Sequence, residues 1–462
     1  MKTPMLLLLA SASLALSADP ALTIYNGGYA VVRETLPLDL KSGVNQVAFA
    51  GATAQVEADS VILRDTAGKA DFRILEQSYR NDPVSEAMLL SMFEGKQLEF
   101  VVHEVQKPDR VVLGKVIRSG FVPGGEAMSP IVEVDGKLQF TLPGEPRFPS
   151  LGDGNVLKPT LNWKLASAAD AKFSAEVAYL SHGFTWQASY NIVSPEKSDT
   201  LDIVGWVTME NHSGMGFTDA KIKLMAGDVQ RAPAPERMVV AKSLSRAAVA
   251  DAVAFGGAPV SEKTFDEFHL YTLANPTTLR DKETKQVEFV RAVGVKSERV
   301  YILEAHGTSG QSEKVQVWRE FRNSEANRLG IALPKGNVRF YSQDGDRQLE
   351  FTGENAIDHT PKDELVRLRT GNSFDLVGTR RQVASTSDQA NHREQRTLEI
   401  KLRNRKSEPV TILVRESFDG RNWKVEEETQ PYQKRNSRQI EFKVPVQPGE
   451  EKVIRYTVKY TW

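Results

Sequence analysis

Alternation of apolar and polar residues recurs along this sequence and constrains the fold more than any other feature. Between Phe184 and Ile192, apolar side chains occupy every second position, with polar residues between them. The same period returns at 398–402, 440–446 and 454–462. Because successive side chains of a β-strand point to opposite faces of its sheet, this period is typical of half-buried strands.

Short turn sequences separate these strands. Asn26-Gly27, Ser42-Gly43, Asp135-Gly136 and Asp344-Gly345 combine residues that tolerate the tight backbone of a hairpin. Strands with turn signals about every 8–12 residues favour sandwiches and small barrels over a parallel sheet with crossover helices. We therefore predict a mainly β protein with several small β-sandwich (immunoglobulin-like) domains, a small SH3-like barrel and one short helix.

The length of 462 residues leaves room for about two to four domains, each with its own core. The short helix is expected to have Asp82 as its cap, Pro83 in its first turn and Gly95 at its end. The predicted order is a signal peptide at 1–18, an N-terminal β-sandwich at 19–82, the short helix with a small β-barrel at 83–150, a central β-sandwich at 151–302 and a C-terminal β-sandwich region at 303–462.

An Ala- and Pro-rich segment at 231–263 interrupts the central region. Its composition is typical of a flexible surface loop. A second interpretation is a helix that docks through one apolar stripe. That stripe would consist of Val240, Leu244, Ala248, Ala252 and Phe255. The sequence leaves both interpretations open.

The N-terminus has the features of an export signal. Lys2 precedes a Leu-, Ala- and Ser-rich run from Met5 to Ala18. This run suits the core of a signal peptide and is shorter than the roughly 20 apolar residues of a membrane-spanning helix. We expect cleavage near Ala18 or Asp19, and hence a periplasmic or secreted protein without a transmembrane span in its mature chain.

Composition narrows the possible chemistry. The sequence contains no cysteine, which excludes disulfides, cysteine-ligated zinc and thiol nucleophiles. The 59 basic and 60 acidic residues nearly cancel, so bulk charge gives no reason to expect a nucleic-acid partner. An exported chain without disulfides fits a bacterial envelope protein better than a small secreted eukaryotic one.

Motifs for catalysis, cofactors or metals are weak. The seven histidines follow neither HxxxH nor HExxH spacing. Ser194 and Lys197 have SxxK spacing, but Pro195 and the missing companion motifs favour a turn. Asp153-Gly154-Asn155 and Asp344-Gly345-Asp346 lack the later ligands of a calcium loop. We therefore expect no catalytic, cofactor-binding or metal-binding residues.

The densest local excess of positive charge lies at 378–406. Within it, we predict that Arg403, Arg405 and Lys406 form an anion-binding surface for an acidic polymer. The alternative interpretation is the solvated face of a strand at 398–402 together with a charged loop. Interleaved aromatic residues, which stack on bases, are missing, so the segment does not indicate nucleic acid.

Eight blocks of the sequence resemble a bacterial family of unknown function. They are 177–190, 205–207, 211–214, 224–228, 269–273, 329–334, 351–354 and 359–361. In these residues the chain resembles the bacterial domain-of-unknown-function 4139 family, which includes exported proteins similar to mucoidy inhibitor A. It departs from longer members by lacking their coiled coil near the N-terminus. The resemblance implies a link to exopolysaccharide and supplies no catalytic residues.

These observations predict an exported, non-enzymatic envelope protein that acts as a binding or scaffolding module. Its expected partner is an envelope polysaccharide or another envelope protein. The alternative is a hydrolase or lyase that acts on polysaccharide with carboxylates brought together from separate strands. Buried carboxylates clustered in a deep cleft would favour the enzyme, whereas an open strand surface would favour the binder.

Overall fold

The computed structural model describes residues 18–81, 85–103, 108–122, 128–149, 158–195, 198–227, 260–265, 268–305, 308–419 and 422–462. Most of these residues are in strands, and one short α-helix is present among them, which confirms the predicted mainly β fold. Residues 1–17 of the expected signal peptide and 231–259 of the Ala- and Pro-rich segment lie outside the described residues. The last residues of that segment, Val260 to Lys263, belong to a strand.

The described strands are numbered in chain order. The first half contains β1 Ala18–Tyr25, β2 Tyr29–Leu40, β3 Gly43–Ala50, β4 Ile62–Arg64, β5 Phe72–Arg80, α1 Glu86–Ser91, β6 Gln97–Val102, β7 Arg110–Arg118, β8 Ile131–Val134, β9 Lys137–Gln139, β10 Glu145–Arg147, β11 Thr160–Ser167, β12 Ala171–His182, β13 Phe184–Ser194, β14 Thr200–Asn211 and β15 Phe217–Ala226. The second half contains β16 Val260–Phe265, β17 Phe268–Leu273, β18 Thr277–Leu279, β19 Glu283–Lys296, β20 Glu298–Glu304, β21 Ser309–Arg322, β22 Gly336–Gln343, β23 Leu349–Ile357, β24 Leu365–Asp388, β25 Arg393–Asn404, β26 Val410–Ser417, β27 Asn422–Glu426, β28 Tyr432–Asn436, β29 Gln439–Val446 and β30 Glu451–Thr461.

Sequence-distant strands meet in an eight-stranded sheet, ordered β16-β17-β15-β1-β2-β12-β4, with β18 beside β15. Here β1 lies parallel to β15, and β2 is antiparallel to β12. Strands from the regions 19–82 and 151–302 therefore share one sheet. The domain boundaries stay a prediction about which parts fold on their own.

One hydrophobic core joins that sheet to two others, a three-stranded sheet β3-β11-β5 and a five-stranded sheet β19-β14-β13-β22-β23. Leu22, Trp163 and Tyr190 come from the three sheets in turn, and all three side chains are buried in one cluster. Their alternating positions along each strand place the apolar side chains inside and leave the polar ones outside.

A small antiparallel sheet, β10-β6-β7-β8-β9, surrounds its own core beside α1. The cap of α1 differs from our expectation, because Ser85 occupies that position. Its backbone is extended and its Oγ accepts a hydrogen bond from the backbone N–H of Met88. A serine placed there satisfies an N–H that the helix leaves unpaired. Asp82 and Pro83 lie outside the described residues.

The C-terminal part forms a nine-stranded sheet, ordered β27-β30-β25-β24-β21-β20-β26-β29-β28. Its inner face holds a separate hydrophobic cluster that includes Leu402, Phe442 and Tyr456. Several sheets with alternating buried residues fit the predicted β-sandwich organisation. Among the described residues, no helix has the length and apolar character needed to cross a membrane.

Candidate functional site

The basic segment 378–406 runs along β24 and β25, where acidic partners neutralise much of its charge. Arg380 donates through Nε to both carboxylate oxygens of Glu416, at 3.0 and 3.1 Å. Arg381 donates to Glu399 at 2.6 Å. Charges that are matched in this way stabilise the sheet and leave little attraction for an outside anion.

The three predicted anion-binding residues have different surroundings. Arg403 donates to the Ser312 hydroxyl at 3.3 Å on the sheet surface, and the Arg405 side chain is exposed. Lys406 instead lines a pocket, with its Nζ 5.4 Å from the centre of the Tyr301 ring. Lys406 therefore lines the pocket whereas Arg403 and Arg405 do not, and the joint role of the three residues as an anion site stays a prediction.

The pocket lies between the five-stranded and the nine-stranded sheets and has a volume of about 270 Å³. One wall is formed by the end of β13 with β22 and β23, which are adjacent because β13 and β22 pair in parallel. The opposite wall is formed by β20, β21 and β24 of the nine-stranded sheet. Long-range sheet packing therefore creates this cavity.

A buried arginine forms the most constrained part of the pocket. The Arg319 side chain is 5% exposed, and one of its terminal nitrogens donates to the Ser194 hydroxyl at 2.8 Å. Its nearest carboxylate, Asp199, lies 3.5 Å away and is 76% exposed to solvent. Burial, and then repulsion from Arg299, lowers the pKa of Arg319. The guanidinium is thus buried with weak charge compensation.

A second arginine faces the first directly. Antiparallel pairing of β20 and β21 places Arg299 opposite Arg319. Like charges at opposed positions of neighbouring strands destabilise a sheet. Arg299 forms no ion pair with any described residue and also lines the pocket. Two guanidinium groups therefore share one wall without a buried acid between them.

An irregular stretch of β24 supplies the rim. Asn372 pairs with Gln316 and Val377 pairs with Lys314, so four residues of β24 face a single residue of β21. Extra residues of this kind form a bulge, which bends a strand and re-aims its side chains. The bulge projects Phe374 beside the pocket with 91% of its surface exposed. Bulge geometry thus places an aromatic ring next to the cations.

The remaining lining is rich in hydroxyl groups and has little negative charge. The side chains of Ser342, Thr352 and Ser373 line the pocket and make no hydrogen bond with the described residues. The charged side chains of the lining are Arg299, Arg319, Lys406 and Asp375. Asp199 lies 3.5 Å from Arg319 and Glu408 lies 3.8 Å from Lys406. Arg299 is thus the cation of the lining without an ion pair among the described residues, and its charge suits an anionic group.

The buried carboxylates of the C-terminal sheet do not form an acidic pair. Glu399 and Glu416 are 1% and 0% exposed, and each is held by arginine rather than by the other. Among the residues that the structure describes, no group of three or more histidine and acidic side chains is placed to hold a metal ion. Glu399 and Glu416 therefore do not provide the acidic pair that the polysaccharide-cleaving alternative requires.

Sequence reasoning missed Arg299, Arg319 and Phe374. The alternating pattern around each arginine places it on a strand, but no local signal gives the register that sets the two side by side. Phe374 comes shortly after Gly371-Asn372, two residues with low strand propensity, and this interruption was the available sign of a bulge.

The comparisons with known proteins concern the part of the chain that builds this pocket. A family model described as "Domain of unknown function (DUF4139)" matches residues 175–462. The match covers every strand that lines the pocket. No curated protein matches the chain.

Proposed function

The chain belongs to the DUF4139 family, and we propose that it is an exported, non-enzymatic binding module that holds an anionic group of an envelope polymer in the pocket. The observation that carries this proposal is the opposition of Arg299 and Arg319 on neighbouring strands, both lining one cavity.

Charge accounting supports an anion in this position. Two guanidinium groups next to each other raise the free energy of the empty protein, and a bound anion would offset that repulsion. Partial burial strengthens the attraction, because the local dielectric constant is lower than that of water. Arginine also offers paired donors to carboxylate, phosphate or sulfate groups. The pocket is therefore suited to bind negative charge.

The envelope setting rests on the sequence. The N-terminal residues have the pattern of a signal peptide, and the family resemblance includes mucoidy inhibitor A proteins, whose name points to exopolysaccharide. An acidic polysaccharide is thus the proposed class of polymer. The exposed Arg405 and the nearby Arg403 would attract its further charges outside the pocket.

Binding of polygalacturonate, measured by calorimetry, tests the proposal. The pocket variant Arg299→Gln with Lys406→Gln should lose about tenfold or more in affinity, because each cation lost removes a charge-assisted contact. The matched variant Arg403→Gln with Arg405→Gln removes the same charge outside the pocket. It should bind only slightly less tightly and show a weaker dependence on salt up to about 0.15 M.

Three results would contradict the proposal. Absence of binding by the wild type would contradict the claim that the protein binds an anionic polymer. Equal losses of affinity in the two double variants would contradict the claim that the pocket is the binding site. Release of shorter oligomers during incubation would favour the hydrolase or lyase alternative.

Export has its own test, since intact-mass analysis of the protein from the native host should show a chain that begins near Ala18 or Asp19. Retention of Met1 would contradict it.

A further inference from the structure

The pocket is small and combines three kinds of side chain that one ligand must satisfy together. Its volume of about 270 Å³ lies below the range of about 300–1,000 Å³ that is typical of sites for drug-sized ligands. A single ring-sized group therefore fits better than a long oligomer enclosed along its length. The cations, the free hydroxyls and the exposed phenyl ring set the chemistry of that group.

The cations define one end of the ligand. Arg299 and Arg319 come from adjacent strands at opposed positions, and a planar carboxylate can accept parallel hydrogen bonds from a guanidinium group. Lys406 also lines the pocket and adds a third donor without fixed geometry. This end of the pocket is suited to one negatively charged group.

The phenyl ring defines a second feature. Phe374 is 91% exposed, far more than the other phenylalanines of the described residues, and a bulge holds it at the rim rather than in the core. Covering it would remove apolar surface from water. Pyranose rings present a face of C–H groups that packs flat on an aromatic ring, whereas an inorganic anion offers no apolar face. The ring and the cations together thus favour an acidic sugar.

The hydroxyl groups agree with the same ligand. Ser342, Thr352 and Ser373 are each able to donate and accept a hydrogen bond, and their side chains have no partner among the described residues. Sugar hydroxyls likewise both donate and accept. A ligand that covered these hydroxyl groups without forming hydrogen bonds to them would incur the cost of their desolvation. A polyhydroxylated ring therefore suits this wall.

From these features, and resting on the proposed function, we infer that the pocket binds one uronic-acid residue of a glycan, with its carboxylate between Arg299 and Arg319 and its pyranose ring against Phe374. The inference assigns a monosaccharide unit as the recognised element. Longer acidic chains would then bind by placing one such residue in the pocket and their remaining charges near Arg405.

Calorimetry with the full chain and four small probes tests this inference: sodium glucuronate, glucose, inorganic phosphate and adenosine monophosphate. Glucuronate should bind at least about tenfold more tightly than phosphate or glucose, since only it satisfies both the cations and the ring. Phe374→Ala should lower the affinity for glucuronate about three- to tenfold and leave the affinity for phosphate unchanged. Arg299→Gln should lower the affinity for both glucuronate and phosphate.

Phe140→Ala is the matched control, because Phe140 is 64% exposed but belongs to the region of the small sheet, away from the pocket lining. It should bind glucuronate as the wild type does. Equal affinities for glucuronate and phosphate, with no effect of Phe374→Ala, would contradict recognition of a uronic acid and would still agree with an anion site. Tighter binding of adenosine monophosphate than of glucuronate would also overturn it. If neither glucuronate nor phosphate bound, the proposed function would be contradicted as well.

Discussion

Two buried arginines of the nine-stranded sheet differ in how their charge is balanced. Arg380 and Arg319 are 9% and 4% exposed. Arg380 donates to both oxygens of Glu416, which is fully buried, whereas the one carboxylate that Arg319 reaches among the described residues is that of Asp199, whose side chain is mostly in solvent. Burial by itself lowers the pKa of Arg380, but Glu416 outweighs it and leaves that pKa raised. The pKa of Arg319 is lowered by burial and by Arg299.

Arg380 is thus neutralised by a buried carboxylate of the protein, whereas Arg319 has no buried carboxylate as its partner among the described residues. A buried ion pair whose members match each other is already satisfied, and its loss is felt mainly as a loss of stability. A buried cation without a matching buried acid has electrostatic attraction left for an incoming anion. The two regions should therefore respond in opposite ways when each charge is changed, and this contrast can be measured.

The largest effect is expected from the matched pair. Glu416→Gln leaves the guanidinium of Arg380 buried without a counter-charge, and arginine cannot escape by losing its proton. We expect a loss of about 3–5 kcal/mol in the free energy of unfolding, measured by urea denaturation. A loss below about 1 kcal/mol would place Arg380 in the same class as Arg319 and remove the contrast.

The next effect concerns the unmatched pair and its ligand. Glucuronate at about 100 times its dissociation constant should stabilise the wild type by about 2.7 kcal/mol. The same concentration should stabilise Arg299→Gln by about half as much if its affinity falls tenfold. Thermal unfolding with and without ligand gives both values.

A control for this effect lies in the other region. Lys401→Gln is this control, because Lys401 pairs with Glu451 on the sheet and does not line the pocket. Its ligand-induced stabilisation should equal that of the wild type. An equal reduction in Lys401→Gln and Arg299→Gln would show that the ligand responds to overall charge.

A smaller effect should appear in the pH dependence of stability. Hydrogen bonds from Arg381, and then from Arg455, hold the pKa of Glu399 below its ordinary value of 4.5. Because the folded pKa is depressed, this stabilisation is present above pH 4.5 and is lost as the pH falls through the folded pKa. Both arginines are half exposed, so screening limits the contribution to about 1 kcal/mol.

Urea denaturation of the wild type and Glu399→Gln over this range gives the measurement. The difference in unfolding free energy between the two proteins should be largest at neutral pH and should shrink as the pH falls below 4.5. A constant difference across the range would mean that the ionised form of Glu399 does not provide the stabilisation.

The smallest effect is expected from relieving the opposed arginines without ligand. Arg299→Gln removes the repulsion of Arg319, and we expect a gain of about 0.5 kcal/mol in stability. Arg367→Gln is the comparison, because Arg367 of β24 forms a 3.1 Å ion pair with Glu320 of β21, and the variant should lose a similar amount of stability. A loss of stability in Arg299→Gln would mean that Arg299 already has a favourable partner.

Local chemistry was enough for the strands and some of the turns. Asp135 and Gly136 have φ of 49° and 72°, and they join Val134 to its paired neighbour Lys137 as a tight hairpin. Asp and Gly tolerate these positive angles, so the sequence identified the turn directly. Local chemistry did not distinguish the cap of α1, because Ser85 and Asp82 are both good cap residues and lie three residues apart in sequence.

The sequence by itself determined the strand-rich architecture, because the period of two is set by how each short segment buries one of its faces. Tertiary structure alone decided the candidate site. The parallel pairing of β13 with β22, the register of Arg299 against Arg319 and the bulge at Phe374 all depend on residues far apart in the chain. Register is chosen by the packing of whole sheets, so neighbouring residues in the sequence do not encode it separately.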